Sequence, residues 1–159
     1  MKKLFLMFVI FLIASFIVFM SQHSNKENNF IKINNSKIYI DIADTQEKRE
    51  TGLMNKTNLC KNCGMLFIFD NEGIYNFWNM NTYISLDVIY ISENKKVVEI
   101  KNLPKYICHL IETNELCKPV ETNPTKKAKF VLEVNAGFSQ KNNIKVGDFV
   151  NDLKTVVAE

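Results

Sequence analysis

The chain has 159 residues, 47% of them hydrophobic, which is enough for one domain with its own core and too few for two. Its net charge is +3, and Lys2 and Lys3 supply two of those charges. The other lysines are scattered without interleaved aromatics, so nothing in the composition points to nucleic-acid binding.

Lys2 and Lys3 precede Leu4–Met20, an apolar run broken only by Ser15. As a helix this run spans about 25 Å, within the range of membrane-crossing segments. It is long for a signal-peptide core and lacks a clean small-x-small cleavage site. Residues 1–20 are therefore expected to be an uncleaved membrane anchor, with secretion after cleavage as the alternative. The basic end stays in the cytoplasm, which places the rest of the chain outside it. Residues 21–29, SQHSNKENN, are polar and aperiodic and read as a tether.

Residues 30–159 are expected to form a single exported domain. Ile38, Ile40 and Ile42 alternate with polar neighbours, the pattern of a half-buried strand. Asp44 with Glu47 fits a capping box and Gly52 a stop signal, giving a short helix. GMLFIFD (64–70) and LDVIYIS (86–92) are apolar on both faces, as central strands are. KKVVEI (95–100) and KFVLEV (129–134) read as strands, and residues 86–100 as a hairpin. The polar segment 101–127 holds all three prolines and two cysteines. AGFSQKNN then offers one helical turn, and VGDFV a turn into a last strand.

Several residues invite chemistry. Arg49 is the sole arginine in a lysine-rich chain, and a planar guanidinium can grip a carboxylate or several carbonyls as an ammonium cannot. Its bland alternative is an internal tie to Asp87, Glu133 or a backbone carbonyl. Asp87 opens an apolar strand, so its carboxylate must be paired, hydrogen-bonded or turned to a cleft. Asn81 and Thr82 precede it and suit either a turn or a ligand. Trp78, the only tryptophan, is a core plug or a platform for a flat ligand.

The cysteines are Cys60, Cys63, Cys108 and Cys117. An even count in a small exported domain favours disulfides, with three pairings open. A CxxC that follows a helix and runs into a strand lacks the helix N-terminus that activates a thiol. The eight-residue gap from Cys108 to Cys117 is unlike the usual second zinc pair. No catalytic serine, zinc-hydrolase or phosphate-loop motif occurs, and no cofactor or metal is called for.

The blocks ADTQEKRETGLM, GMLFIFD, FWNMNTYISLDVIYI, FVLEVNAGF and VGDFV, in this order, resemble domain of unknown function 192 over roughly residues 37–150. The resemblance implies a mainly β (α+β) fold, a small barrel-like or strongly curved antiparallel-rich sheet with two short helices, often exported or membrane-anchored. It implies no established activity. The chain departs from the family pattern at Lys56, Asn79, Met80 and Ser85, so a mechanism needing the lysine common at position 80 drops out. The CxxC is an addition to that pattern, which favours a stabilising role.

Three functional expectations follow. The first is a membrane-tethered binding or accessory module for a small polar or carbohydrate ligand, using Arg49, Trp78, Asn81, Thr82, Asp87 and Glu133. The second is a hydrolase with Asp87 and Glu133 as acid and base and Arg49 stabilising an anion. The third is a cysteine-based zinc or redox module.

Overall fold

In the computed structural model, which describes residues 29–106 and 118–153, a hairpin opens the domain. Strand β1 (Phe30–Ile33) pairs antiparallel with β2 (Ser36–Ala43), joined by the two-residue turn Asn34–Asn35. Asn34 has φ 54°, the left-handed conformation that such hairpin turns require and asparagine tolerates. Sequence reading placed the first strand at Ile38 and missed β1, although Ile31 and Ile33 already alternate with polar neighbours and both are fully buried.

Helix α1 (Gln46–Thr51) follows β2. Its cap is Thr45, whose Oγ1 accepts the Lys48 backbone N–H, so the expected cap at Asp44 is one residue early. The Asp44 carboxylate instead takes the Lys48 ammonium at 2.7 Å, and that hydrogen bond holds it below the usual aspartate range. Gly52 ends the helix at φ 46°, as expected, with its N–H bonded to the Lys48 carbonyl.

Strand β3 (Cys63–Gly73) returns parallel to β2. Then come β4 (Leu86–Ile91), β5 (Val97–Leu103), β6 (Ala128–Asn135), helix α2 (Phe138–Lys141) and β7 (Val150–Asn151). The sheet order is β5-β4-β6-β3-β2-β1-β7, and every pairing except β2–β3 is antiparallel. The sheet curls into a half-barrel. Its edges are tied at one end by a bridge between Lys96 and Phe149, with Val97 N–H donating to the Asp148 carbonyl and Val150 N–H to that of Lys95.

Both faces of the central strands are apolar because both are covered. Ile31, Ile38, Leu66, Ile89, Leu132 and Val150 fill the concave side. Phe67, Val88, Tyr90, Val131, Leu53 and Phe77 pack on the convex side, beneath α1 and the 53–85 connections. Gly64 is required where β3 meets β6, since an added Cβ would lie 2.6 Å from the Glu133 carbonyl oxygen.

Cys60 and Cys63 form a disulfide that closes the turn into β3. Cys108 and Cys117 lie outside the described residues, as do the expected anchor 1–20 and the tether up to residue 28. Among the described residues no helix is long and apolar enough to cross a membrane.

Candidate functional site

The convex face carries a groove of about 390 Å³ between α1 and the segment 74–78. Its aromatic wall arises from local sequence: β3 ends at Gly73, and the chain doubles back so that Tyr75 stacks on Phe69, centroids 3.5 Å apart and planes 8° from parallel. Phe77 meets Phe67 edge-on at 4.8 Å and is buried. Ile74 and Trp78, 52% and 48% exposed, stand at the mouth.

Trp78 is held there by its own backbone, which bridges to Glu121. The neighbouring Asn79 is buried and spans two loops. Its Nδ2 donates to the Pro104 carbonyl and its Oδ1 accepts the Val120 N–H, both at 2.8 Å. The departure from the family pattern at position 79 is thus a structural tie. The core-plug reading of Trp78 is not what the fold adopts, because Phe77 fills the core and Trp78, its chain neighbour, points outward.

Arg49 sits on the groove wall. Its Nη1 donates to the carbonyls of Asp44 at 2.7 Å and Ile68 at 2.8 Å, and its guanidinium lies 5.2 Å from the Phe69 ring centre. The internal tie foreseen for it therefore ends on carbonyls. Its Nε and Nη2 have no acceptor among the described residues.

A recess of about 30 Å³ shares Arg49, Glu50, Phe67, Phe77 and Trp78 with the groove and is lined also by Met54, Met80, Thr82 and Glu133. Glu133 is 4% exposed, and burial alone pushes its carboxyl up to about 8. Thr82 is buried beside it, with Oγ1 donating to the Met80 carbonyl at 3.3 Å.

Asp87 belongs elsewhere. It opposes Val134 across the β4–β6 ladder, while Val88 opposes Glu133. Directly opposed residues share a face and successive ones alternate, so Asp87 and Glu133 lie on opposite sides of the sheet. The Asp87 carboxylate accepts the N–H groups of Gly137 at 3.0 Å and Ser139 at 2.8 Å, and Nδ2 of Asn102 at 2.8 Å. It anchors the entry to α2 and is fully engaged there, so the acid–base pair with Glu133 does not assemble. Asn81 lines neither the groove nor the recess. It holds a turn at φ 53°, and its carbonyl accepts the Asn55 N–H.

The fold thus gathers Arg49, Trp78, Thr82 and Glu133 and leaves Asn81 and Asp87 out. Phe69, Ile74 and Tyr75 also line the groove without having been singled out, and Met80, noted only as a departure from the family pattern, lines the recess. For Ile74 and Tyr75 the sequence signal was the aromatic density of IYNFW, residues 74–78.

A sequence profile of DUF192, described as Uncharacterized ACR, matches residues 29–151. A crystal structure of a protein of unknown function from Novosphingobium aromaticivorans is similar at 28% identity and TM-score 0.64, covering 77% of this chain and 83% of that one. A protein of Sinorhizobium meliloti described as a candidate transcription regulator is similar at 23% identity and TM-score 0.63, covering 77% and 91%, a likeness of fold alone. No curated protein matches the chain.

Proposed function

We propose, for a chain that belongs to the DUF192 family, the role of a membrane-tethered extracytoplasmic binding module whose groove takes a small polar ligand of carbohydrate type. The observation that carries this reading is the outward placement of Trp78 at the lip of an aromatic-walled groove. Half exposed, Trp78 forgoes on the order of 1 kcal/mol of burial and, with Ile74, leaves an apolar lip on the groove that a ligand can cover. An indole face beside a polar rim suits a sugar ring, which offers one apolar C–H face and equatorial hydrogen-bonding groups.

Polar groups converge on the same space. Gln46, Glu50 and Asn76 line the groove, and the unsatisfied donors of Arg49 are available for ligand oxygens. The groove volume accommodates a mono- or disaccharide rather than a long polymer segment. Trp78 is the only tryptophan, so intrinsic fluorescence reports on this site alone. Titrating the full chain, held in a non-glycosidic detergent, with a panel of mono- and oligosaccharides is expected to give a saturable emission change. Absence of saturation with every sugar up to high millimolar concentration would overturn the reading.

A further inference from the structure

The recess behind Trp78 contains a group that carbohydrate stacking does not use. Glu133 stands on the convex face of β6, between Met65 of β3 and Val88 of β4 in the ladder. Its carboxyl makes no hydrogen bond or ion pair with any described residue. A buried polar atom without a partner is destabilising and uncommon in native proteins. Nor is this one sealed away: among the described residues only Ser139 Oγ is both sealed and unpartnered, so the Glu133 oxygens keep access to the recess.

Size limits what can enter. A cavity of about 30 Å³ exceeds the roughly 10–15 Å³ that a single water requires, and it is far too small for a ring. A substituent of one or two heavy atoms fits while its ring stays in the outer groove. The recess also lies beside Arg49, whose Nε and Nη2 donate to nothing among the described residues.

We propose that the recess is a subsite for an acceptor oxygen of the ligand, the carbonyl of an N-acyl group or the carboxylate of a uronic acid, held by Glu133 as hydrogen-bond donor with Arg49 alongside. The proposal rests on the carbohydrate reading of the groove and names the substituent that reading leaves open.

The donor role requires a proton on Glu133. No described residue hydrogen-bonds or ion-pairs with it. Facing it are Arg49 and Glu50 from α1 and Tyr90 from β4, while β3 offers Met65 and Phe67, and the 77–82 segment Trp78, Met80 and Thr82, none of them titratable. Tyr90 is itself pushed up to about 12 by burial and stays neutral through the relevant range. With burial raising the Glu133 carboxyl to about 8, the proton is present at neutral pH and leaves above it.

Calorimetric titration of the full chain in a non-glycosidic detergent, with N-acetylglucosamine, glucuronate, glucose and glucosamine at pH 6.5 and 9.5, tests this. The N-acyl and uronate sugars are expected to bind about tenfold more tightly than glucose at pH 6.5, the worth of one good hydrogen bond. Their Kd should rise by close to tenfold by pH 9.5, toward that of glucose, as the donor proton is lost. Glu133→Gln, whose amide still donates, should keep binding within about threefold and lose the pH dependence, with thermal melting confirming its fold. Tightest binding of glucosamine, abolished in Glu133→Gln, would overturn the proposal by making Glu133 an anion that receives ammonium. Equal, pH-independent binding of all four sugars would overturn it while leaving the carbohydrate reading intact. Failure of every sugar to bind would remove both.

Discussion

Replacing Glu133 by glutamine should stabilise the domain at neutral pH and leave it nearly unchanged at pH 4. Burial raises this carboxyl from 4.5 to about 8 in the folded chain, with no other contribution to the shift. Below pH 4.5 both states hold the proton and the group is neutral in stability. As pH climbs from 4.5 toward 8, the unfolded chain releases the proton and the folded chain keeps it, so the folded state loses ground. Above 8 both states are ionised and the loss is complete. At about 1.4 kcal/mol per pH unit, the loss reaches on the order of 3 kcal/mol at pH 7. Glutamine carries no such proton linkage. The stability difference between Glu133→Gln and the wild type should therefore grow by on the order of 3 kcal/mol between pH 4 and pH 7. Urea denaturation followed by far-UV circular dichroism at half-unit pH intervals measures it, and other titrating groups cancel in the difference. A difference that stays flat with pH would mean that Glu133 has a partner or free access to water in the folded state, and that its carboxyl is not raised by burial.

Other perturbations bear on the scaffold around the groove. Asp87→Ala strips two N–H donors at the start of α2, and Asn102 Nδ2 on β5, of their acceptor and should cost about 2–4 kcal/mol in thermal or urea unfolding. Because Asp87 is on the far face from the groove, saccharide-induced fluorescence changes should persist in whatever fraction stays folded. Asn79→Ala cuts the ties to Pro104 and Val120 and should cost about 1–3 kcal/mol, with faster amide exchange at Val120 as its local signature. Reducing the Cys60–Cys63 disulfide should cost at most about 2 kcal/mol, since the loop it closes is so short, and should leave groove binding intact. Loss of saccharide binding on mild reduction would restore a redox role for the pair.

Much of the fold was legible in the sequence because its strands carry their pattern locally. The doubly apolar runs of β3 and β4 announced central strands, and Gly52 marked the end of α1 at the residue where the helix stops. The strand β1 escaped because a four-residue segment beside a polar tether gives only two alternations. The cap of α1 slipped by one residue because Asp44 and Thr45 are both competent caps, and only the ion pair with Lys48 decides between them.

The site was legible in its parts and misread in its partnership. Asp87 and Glu133 both look like carboxylates set in apolar strands. Which face each occupies depends on the register of β4 against β6, a long-range fact that a single sequence does not encode locally. Asp87 turned out to serve backbone N–H groups 50 and 52 residues away, whereas Glu133 found no partner. Likewise the choice between Phe77 and Trp78 as core plug rests on the backbone bridge to Glu121, and residue type alone would have favoured either.

The most direct measurement is a crystal structure of the chain grown with N-acetylglucosamine or glucuronate. The sugar ring is expected against the indole of Trp78, its acyl or carboxylate oxygen in the recess within hydrogen-bonding distance of Glu133, and Arg49 beside it. Sugar bound anywhere else on the surface, or an empty groove at saturating sugar, would contradict it.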